Sequence, residues 1–205
     1  FHFQRKKSGH LLPNIILAKS PDMGDSVDYW STVDSIKIQQ KLGVFRLHND
    51  VEIPALATEK SACFDLNAYL RRGEHIMAYN QYGHKKEIIL DTDCIDMIPQ
   101  WRYLIPTGII FDIPPGYYIK VHPRSGNALK NGLITANNVG IIDEDYVEEC
   151  NCIMINIGHD ALEVCHGDRI AQAELRRTEY YSIEKIQERP KQKTDRDGGF
   201  GSTGT

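Results

Sequence analysis

The sequence predicts an all-β protein, a jelly-roll-like barrel or sandwich with an N-terminal extension and a flexible C-terminal arm. Short apolar runs rich in β-branched and aromatic residues recur from Gly43 to about Arg177. Turn signals separate them, such as Pro114-Pro115-Gly116, Ile157-Gly158-His159-Asp160 and His166-Gly167-Asp168. Beyond Arg177 the pattern dissolves into a polar, glycine-rich tail. Many short strands at this spacing are the signature of a β-sandwich or jelly roll.

The totals fit one good-sized soluble domain: 205 residues, 41% hydrophobic and 25% charged. No run of eighteen apolar residues occurs, so no membrane span is expected. Leu11–Ala18 is too short and too interrupted, by Pro13 and Asn14, for a signal peptide. The chain opens on Phe1 rather than Met, and its natural N-terminus is expected further upstream. A net charge of -4 argues against a general nucleic-acid binder. The five cysteines are expected to be reduced thiols, which points to the cytoplasm. Cys150 and Cys152 alternate on one strand and share a face. With Cys165-His166 they lack the paired spacing of a zinc knuckle.

In order along the chain, residues 1–42 form an extension of unread role, with loosely helical spacing at Val27, Trp30, Val33 and Ile36 after a cap at Asp25 or Ser26. Residues 43–181 form the β domain. Its strands are Val44–Leu47, Ser61–Leu66, Tyr103–Phe111, Tyr117–Val121, Cys150–Ile157, Leu162–Val164 and Ile170–Leu175. Residues 71–98 read as an inserted hairpin or loop with a short strand at Ile88–Leu90. Residues 182–205 read as a mobile arm.

Four stretches carry candidate chemistry. In Val139-Gly140-Ile141-Ile142-Asp143-Glu144-Asp145-Tyr146, Asp143 falls where a strand meets a turn, and Tyr146 can return toward the same cleft. A carboxylate beside an aromatic wall suits a base activating water near a flat or sugar-like substrate. The same octapeptide also fits an acidic hairpin tip with a half-buried tyrosine. In His122-Pro123-Arg124-Ser125-Gly126-Asn127, a strand ends and a short helix begins, with Ser125 where an N-cap would stand. Free N–H groups beside Arg124 make a phosphate corner, or an ordinary capped turn. In Gly167-Asp168-Arg169-Ile170-Ala171-Gln172, regular alternation would put Ile170 and Gln172 on one face, with Gln172 a ligand contact or a rim residue. The arm Arg196-Asp197-Gly198-Gly199-Phe200-Gly201-Ser202-Thr203-Gly204-Thr205 can wrap backbone N–H groups around phosphates, yet it lacks the Gly-Lys-Ser/Thr end of a P-loop.

These stretches, together with Ser61-Ala62-Cys63-Phe64-Asp65-Leu66, resemble in order the five signature segments of the trimeric dUTP pyrophosphatases (dUTPases). The resemblance spans about residues 43–205. It implies a jelly-roll-like β-barrel of the dUTPase type, a homotrimer with active sites between subunits, and Mg²⁺-assisted hydrolysis of dUTP to dUMP and pyrophosphate. It makes Asp143 the base for the attacking water and sets Tyr146 against the deoxyribose. Asn137 would read uracil, and Arg124, Ser125, Gly126 and Gln172 would hold phosphates. Asp65 would reach the metal through water. Phe200 would stack on uracil, with Gly201, Ser202 and Thr203 around the phosphates. Arg196 would take the γ-phosphate, although it lies one residue closer to Phe200 than the family's arginine does. Cys63, Phe64, Asn127, Val139 and Glu148 depart from the usual residues. The rival readings are a dCTP deaminase or bifunctional relative, which lacks the aspartate-to-tyrosine corner, and a non-catalytic dUTPase-like regulatory module.

Overall fold

The structure is a computed structural model, and it describes residues 40–195. Thirteen strands dominate: β1 (Gly43–Arg46), β2 (Phe64–Asn67), β3 (His75–Tyr79), β4 (Lys85–Ile89), β5 (Cys94–Met97), β6 (Arg102–Pro106), β7 (Ile109–Asp112), β8 (Tyr117–Pro123), β9 (Leu133–Thr135), β10 (Gly140–Ile142), β11 (Asn151–Asn156), β12 (Leu162–Cys165) and β13 (Arg169–Arg177). A single turn-and-a-half helix, α1 (Ser125–Lys130), follows β8 and is the one helix among the described residues.

Hydrogen bonding groups the strands into sheets ordered β10-β8-β13-β2 and β4-β3-β6-β11-β9, and into two ribbons, β1-β7 and β12-β5. Every strand pairing among the described residues is antiparallel. The arrangement is jelly-roll-like, but among the described residues the strands close no single barrel.

Period-two burial builds the core. Tyr103 and Ile105 of β6, Cys152 and Met154 of β11, Ile76 and Ala78 of β3, and Ile119 and Val121 of β8 point into one apolar cluster, joined by Ile95 and Met97 of β5. Two polar side chains inside it are satisfied. The Ile98 N–H donates to Tyr103 Oη at 2.8 Å, and Asn156 Nδ2 donates to the Met97 and Asp160 carbonyls, both at 2.8 Å.

The structure corrects several sequence expectations. The stretch 71–98, read as an inserted hairpin or loop, does hold a hairpin, β3–β4, but one built into the core: β3 also pairs with β6, and Ile76, Leu90, Ile95 and Met97 are core residues. Its high charge comes from the exposed edge strand β4, where Lys85 and Lys86 guard unpaired backbone. The expected strand Tyr103–Phe111 breaks at Thr107-Gly108. Gly108 has φ +70°, and a Cβ there would lie 2.5 Å from Val51 Cγ2, so only glycine fits the kink. Cys94 and Cys165, expected as thiols, form a disulfide, because the β5–β12 register sets them directly opposite each other. Cys63, Cys150 and Cys152 remain thiols. Cys150 and Cys152 are both buried, and the hydrogen bond to Cys150, with burial, pushes the Cys152 thiol well above its ordinary range. The expected helix at 27–36 and the arm residues from Arg196 onward lie outside the described residues. The described part of the arm, residues 182–195, carries no helix or strand.

Candidate active site

The signature residues fall into two groups, one at the C-terminal end of β8 and one along the side of β8 that pairs with β10. At the end of β8, Arg124 has extended backbone (φ -87°, ψ 131°) and is itself the N-cap of α1, making no side-chain capping bond. Ser125, expected as the cap, is instead the first helical residue, because the extended backbone ends at Arg124, one residue earlier. Its N–H and that of Gly126 are among the helix donors that intrahelical bonding leaves unpaired. A Cβ on Gly126 would meet no atom within 4 Å, so this first turn is open to a ligand.

Two neighbouring strands complete the corner at Arg124. The β13 register pairs Gln172 with His122 on β8 and with Asp65 on β2. Arg124 Nε donates to Asp65 Oδ1 at 2.7 Å, and Arg169 Nη1 donates to Asp65 Oδ2 at 3.3 Å. Asp65 therefore serves first as the counter-ion that aims two guanidinium groups. Gln172 Nε2 donates to the Pro123 carbonyl at 3.0 Å. Asn127, where an apolar residue was expected, anchors α1 by donating to the Arg169 carbonyl at 2.8 Å.

The alternation expected along β13 fails locally. A register shift between Arg169 and Ala171 leaves Ile170 and Ala171 both buried, while Gln172 is half-buried opposite Ala171 and Ala173. Gln172 thus shares its face with Glu174, whose carboxylate lies 3.2 Å from His122 Nε2, and not with Ile170. The residue-level reading assigned no role to Arg169. Its signal was present, since an arginine flanked by Asp168 and an apolar strand must place its charge near the turn. A cleft of about 410 Å³, walled by Asp50–Ala55, opens beside Asp65 and Arg169.

The second group surrounds a cleft of about 470 Å³ lined by Asn137, Gly140, Asp143, Tyr146 and the outward-facing side chains Leu104 of β6 and Asn151 and Ile153 of β11. Asn138 turns the chain with φ +59°, and the Val139 N–H returns to the Asn137 carbonyl at 2.6 Å. Gly140 lets the chain pass close to β8: a Cβ there would lie 3.2 Å from Val121 Cβ and 3.4 Å from Asn137 Nδ2. A turn closed by the Tyr146 N–H on the Asp143 carbonyl at 3.1 Å brings the tyrosine ring back to the cleft. Tyr146 Oη donates to the Glu149 carbonyl at 3.1 Å, and burial pushes its phenol above the usual range, so it stays neutral. The Asp143 carboxylate makes no hydrogen bond or ion pair among the described residues and also borders a second cleft, of about 510 Å³, toward Tyr180 and Tyr181.

Asp143 and Arg124 do not meet within one chain. Asp143 follows Ile142, which lies opposite Ile119 on β8, whereas Arg124 lies five residues beyond Ile119. At a rise of about 3.4 Å per residue, Ile119 and Arg124 are about 17 Å apart along the strand, and Asp143 lies beyond the level of Ile119. Potential metal ligands are not caged either. Among the described residues the only cluster of three or more is Cys94, Glu163 and Cys165, whose two sulfurs are already bonded to each other.

A jelly-roll-like β domain that carries a basic corner at the start of a short helix and an acid–aromatic cleft defines the class of protein. The comparisons with known proteins agree with that class. Residues 87–204 match the dUTPase family model. The chain is 38% identical over 168 residues to a deoxyuridine 5'-triphosphate nucleotidohydrolase of Brucella melitensis, covering 80% of this chain and 93% of that protein. The fold resembles that of the Staphylococcus bacteriophage 80alpha dUTPase solved with dUpNHpp (TM-score 0.62, 18% identity, 82% of this chain and 100% of that one). It also resembles the dUTPase of the S. aureus phage phi11, in a structure concerned with a structural Mg(II) ion (TM-score 0.57, 16% identity, 73% and 98%). The chain belongs to the dUTPase family.

Proposed function

We propose that this chain is a dUTP diphosphatase, converting dUTP and water to dUMP and pyrophosphate. The observation that carries the reading is the Asn137–Tyr146 cleft, with a carboxylate at its rim that has no partner among the described residues and a neutral tyrosine ring on its wall. The water oxygen attacks the α-phosphorus, the bond to the bridging oxygen of the β-phosphate breaks, and pyrophosphate leaves. Asp143 orients that water and takes its proton. Asn137 and the backbone around it read the uracil edge, where a mismatched base leaves buried polar groups unpaired. Tyr146 covers the deoxyribose where a ribose 2′-hydroxyl would collide.

Arg124, the N–H groups of Ser125 and Gly126, and Gln172 hold the phosphates. Arg196, Phe200, Gly201, Ser202 and Thr203 close over the ligand from the arm, with Phe200 on the base. The separation of about 17 Å along β8 between Arg124 and the level of Ile142, beyond which Asp143 lies, supports a homotrimer in which one subunit's corner completes another's cleft. The working division of the chain is an extension at 1–42, the catalytic β domain at 43–181 and a closing arm at 182–205.

Mg²⁺ fits these residues only through water and the substrate's own phosphates. Asp65 is engaged by two arginines, and the described residues form no carboxylate cage. When bound, the ion neutralises phosphate charge.

No helix among the described residues is long and apolar enough to cross a membrane. We place the enzyme in the cytoplasm, with dUTP as its partner and no nucleic acid or membrane. Three free thiols agree with a reducing compartment, and the disulfide does not.

The test is pyrophosphate release with Mg²⁺ from dUTP, dCTP, dTTP and UTP. Release from dUTP alone supports the reading. Ammonia release from dCTP would make the chain a deaminase, and dUTP binding without pyrophosphate would make it a binding module.

A further inference from the structure

Glu144 occupies an unusual place beside the acid–aromatic cleft. Its Oε2 accepts the Gly116 N–H at 2.7 Å and lies 3.5 Å from Tyr180 Oη. The Gly116 carbonyl accepts the Thr178 N–H at 2.9 Å. Three segments far apart in sequence therefore meet at one residue: the 114–116 turn, the 143–146 turn, and the chain leaving β13 for the arm.

The 143–146 turn needs such a tie. Asp143 to Glu148 are all exposed, so no core side chain anchors the segment. Asp143's own carboxylate is unheld among the described residues, so its direction depends on the backbone turn. The hydrogen bond closing that turn is internal to it and does not fix the turn against the rest of the domain. Glu144 supplies the external restraint, a charge-assisted bond to a backbone N–H that itself sits against the root of the arm.

We propose that Glu144 is a positioning residue for Asp143, pinning the catalytic turn to the Gly116 peptide and to the base of the C-terminal arm. The role rests on the dUTP-hydrolysis reading. A base that swings by about an ångström loses turnover rather than substrate affinity.

The test compares Glu144→Ala with Glu144→Gln in the full chain. Glutamine keeps an oxygen acceptor for the Gly116 N–H, whereas alanine does not. Glu144→Ala should lower kcat about tenfold with KM for dUTP within about twofold, and Glu144→Gln should recover most of the loss. Amide exchange at Gly116 should quicken in the alanine variant and stay slow in the glutamine one. Wild-type kcat in Glu144→Ala, a glutamine variant as slow as alanine, a change in KM alone, or unchanged Gly116 exchange each overturns the proposal. If the wild-type protein fails to hydrolyse dUTP, the substrate reading falls and this role with it. An active wild type with an indifferent Glu144→Ala strikes this role alone.

Discussion

Replacing Asp65 with alanine separates two accounts of one carboxylate. If Asp65 works through Arg124, its loss leaves a guanidinium that is only 23% exposed without its partner. A hydrogen bond between charged groups contributes about 1.5–3 kcal/mol, and the Arg169 contact, to a side chain 61% exposed, adds about 0–1. Both Asp65 and Arg124 keep some contact with water, so a net destabilisation of about 1–2 kcal/mol is expected. For a domain of this size that lowers the thermal midpoint by about 2–8 °C. The assay is thermal unfolding at fixed protein concentration, with Mg²⁺ and in EDTA, beside dUTP kinetics. The shift should persist in EDTA, because the pair forms without a metal, and KM should rise as Arg124 loses its aim. Asp65→Asn, which keeps an acceptor for Arg124 Nε, should show about half the shift. A midpoint in EDTA equal to wild type, with only the Mg²⁺ requirement altered, would refute the counter-ion account and return Asp65 to a metal role alone.

Asp143→Asn should retain binding of dUTP and lose about two to four decades of kcat, since an amide cannot accept the water's proton; near-normal turnover removes Asp143 from the mechanism. Tyr146→Ala should let UTP compete better, read as a lower dUTP-to-UTP ratio of kcat/KM, and an unchanged ratio rules out a sugar-facing ring. Deleting the residues after Arg189 should leave a folded protein with badly impaired hydrolysis. Phe200→Ala should be milder, losing a stacking contact of about 1–3 kcal/mol, while Phe200→Trp stays active and reports closure by fluorescence; full activity after truncation removes the lid. Arg71 lowers the Asp50 carboxyl, and the Arg72 N–H and then Arg71 lower that of Asp93. Folded values below unfolded ones mean that this stabilisation is complete above about pH 4 and is lost as pH falls through the depressed values. Arg71→Gln should therefore flatten the acid limb of the urea midpoint against pH, and an unaltered limb contradicts the assignment.

The amino-acid sequence by itself determined the elements that depend on local patterning. Alternation and turn residues marked most strands, and Pro114-Pro115-Gly116 announced the turn before β8, because side-chain period and backbone restriction act over a few residues. The candidate site was legible as motifs in order: Asp65, Arg124, Asn137, Asp143, Tyr146 and Gln172 were all singled out there. Their grouping was not, since it depends on register between strands far apart in the chain. Only the β2–β13–β8 register brings Asp65, Gln172 and Arg124 together, and only β10 pairing with β8 sends Asp143 to the other end. The same limit hid the Cys94–Cys165 bond, which joins residues 71 apart, and the bulge that turns Gln172 away from Ile170. It also hid the core role of residues 71–98, whose charged edge strand masks the buried face of β3. Local sequence sets which way a backbone bends, whereas cross-strand register, decided by packing the whole core at once, sets which side chains meet.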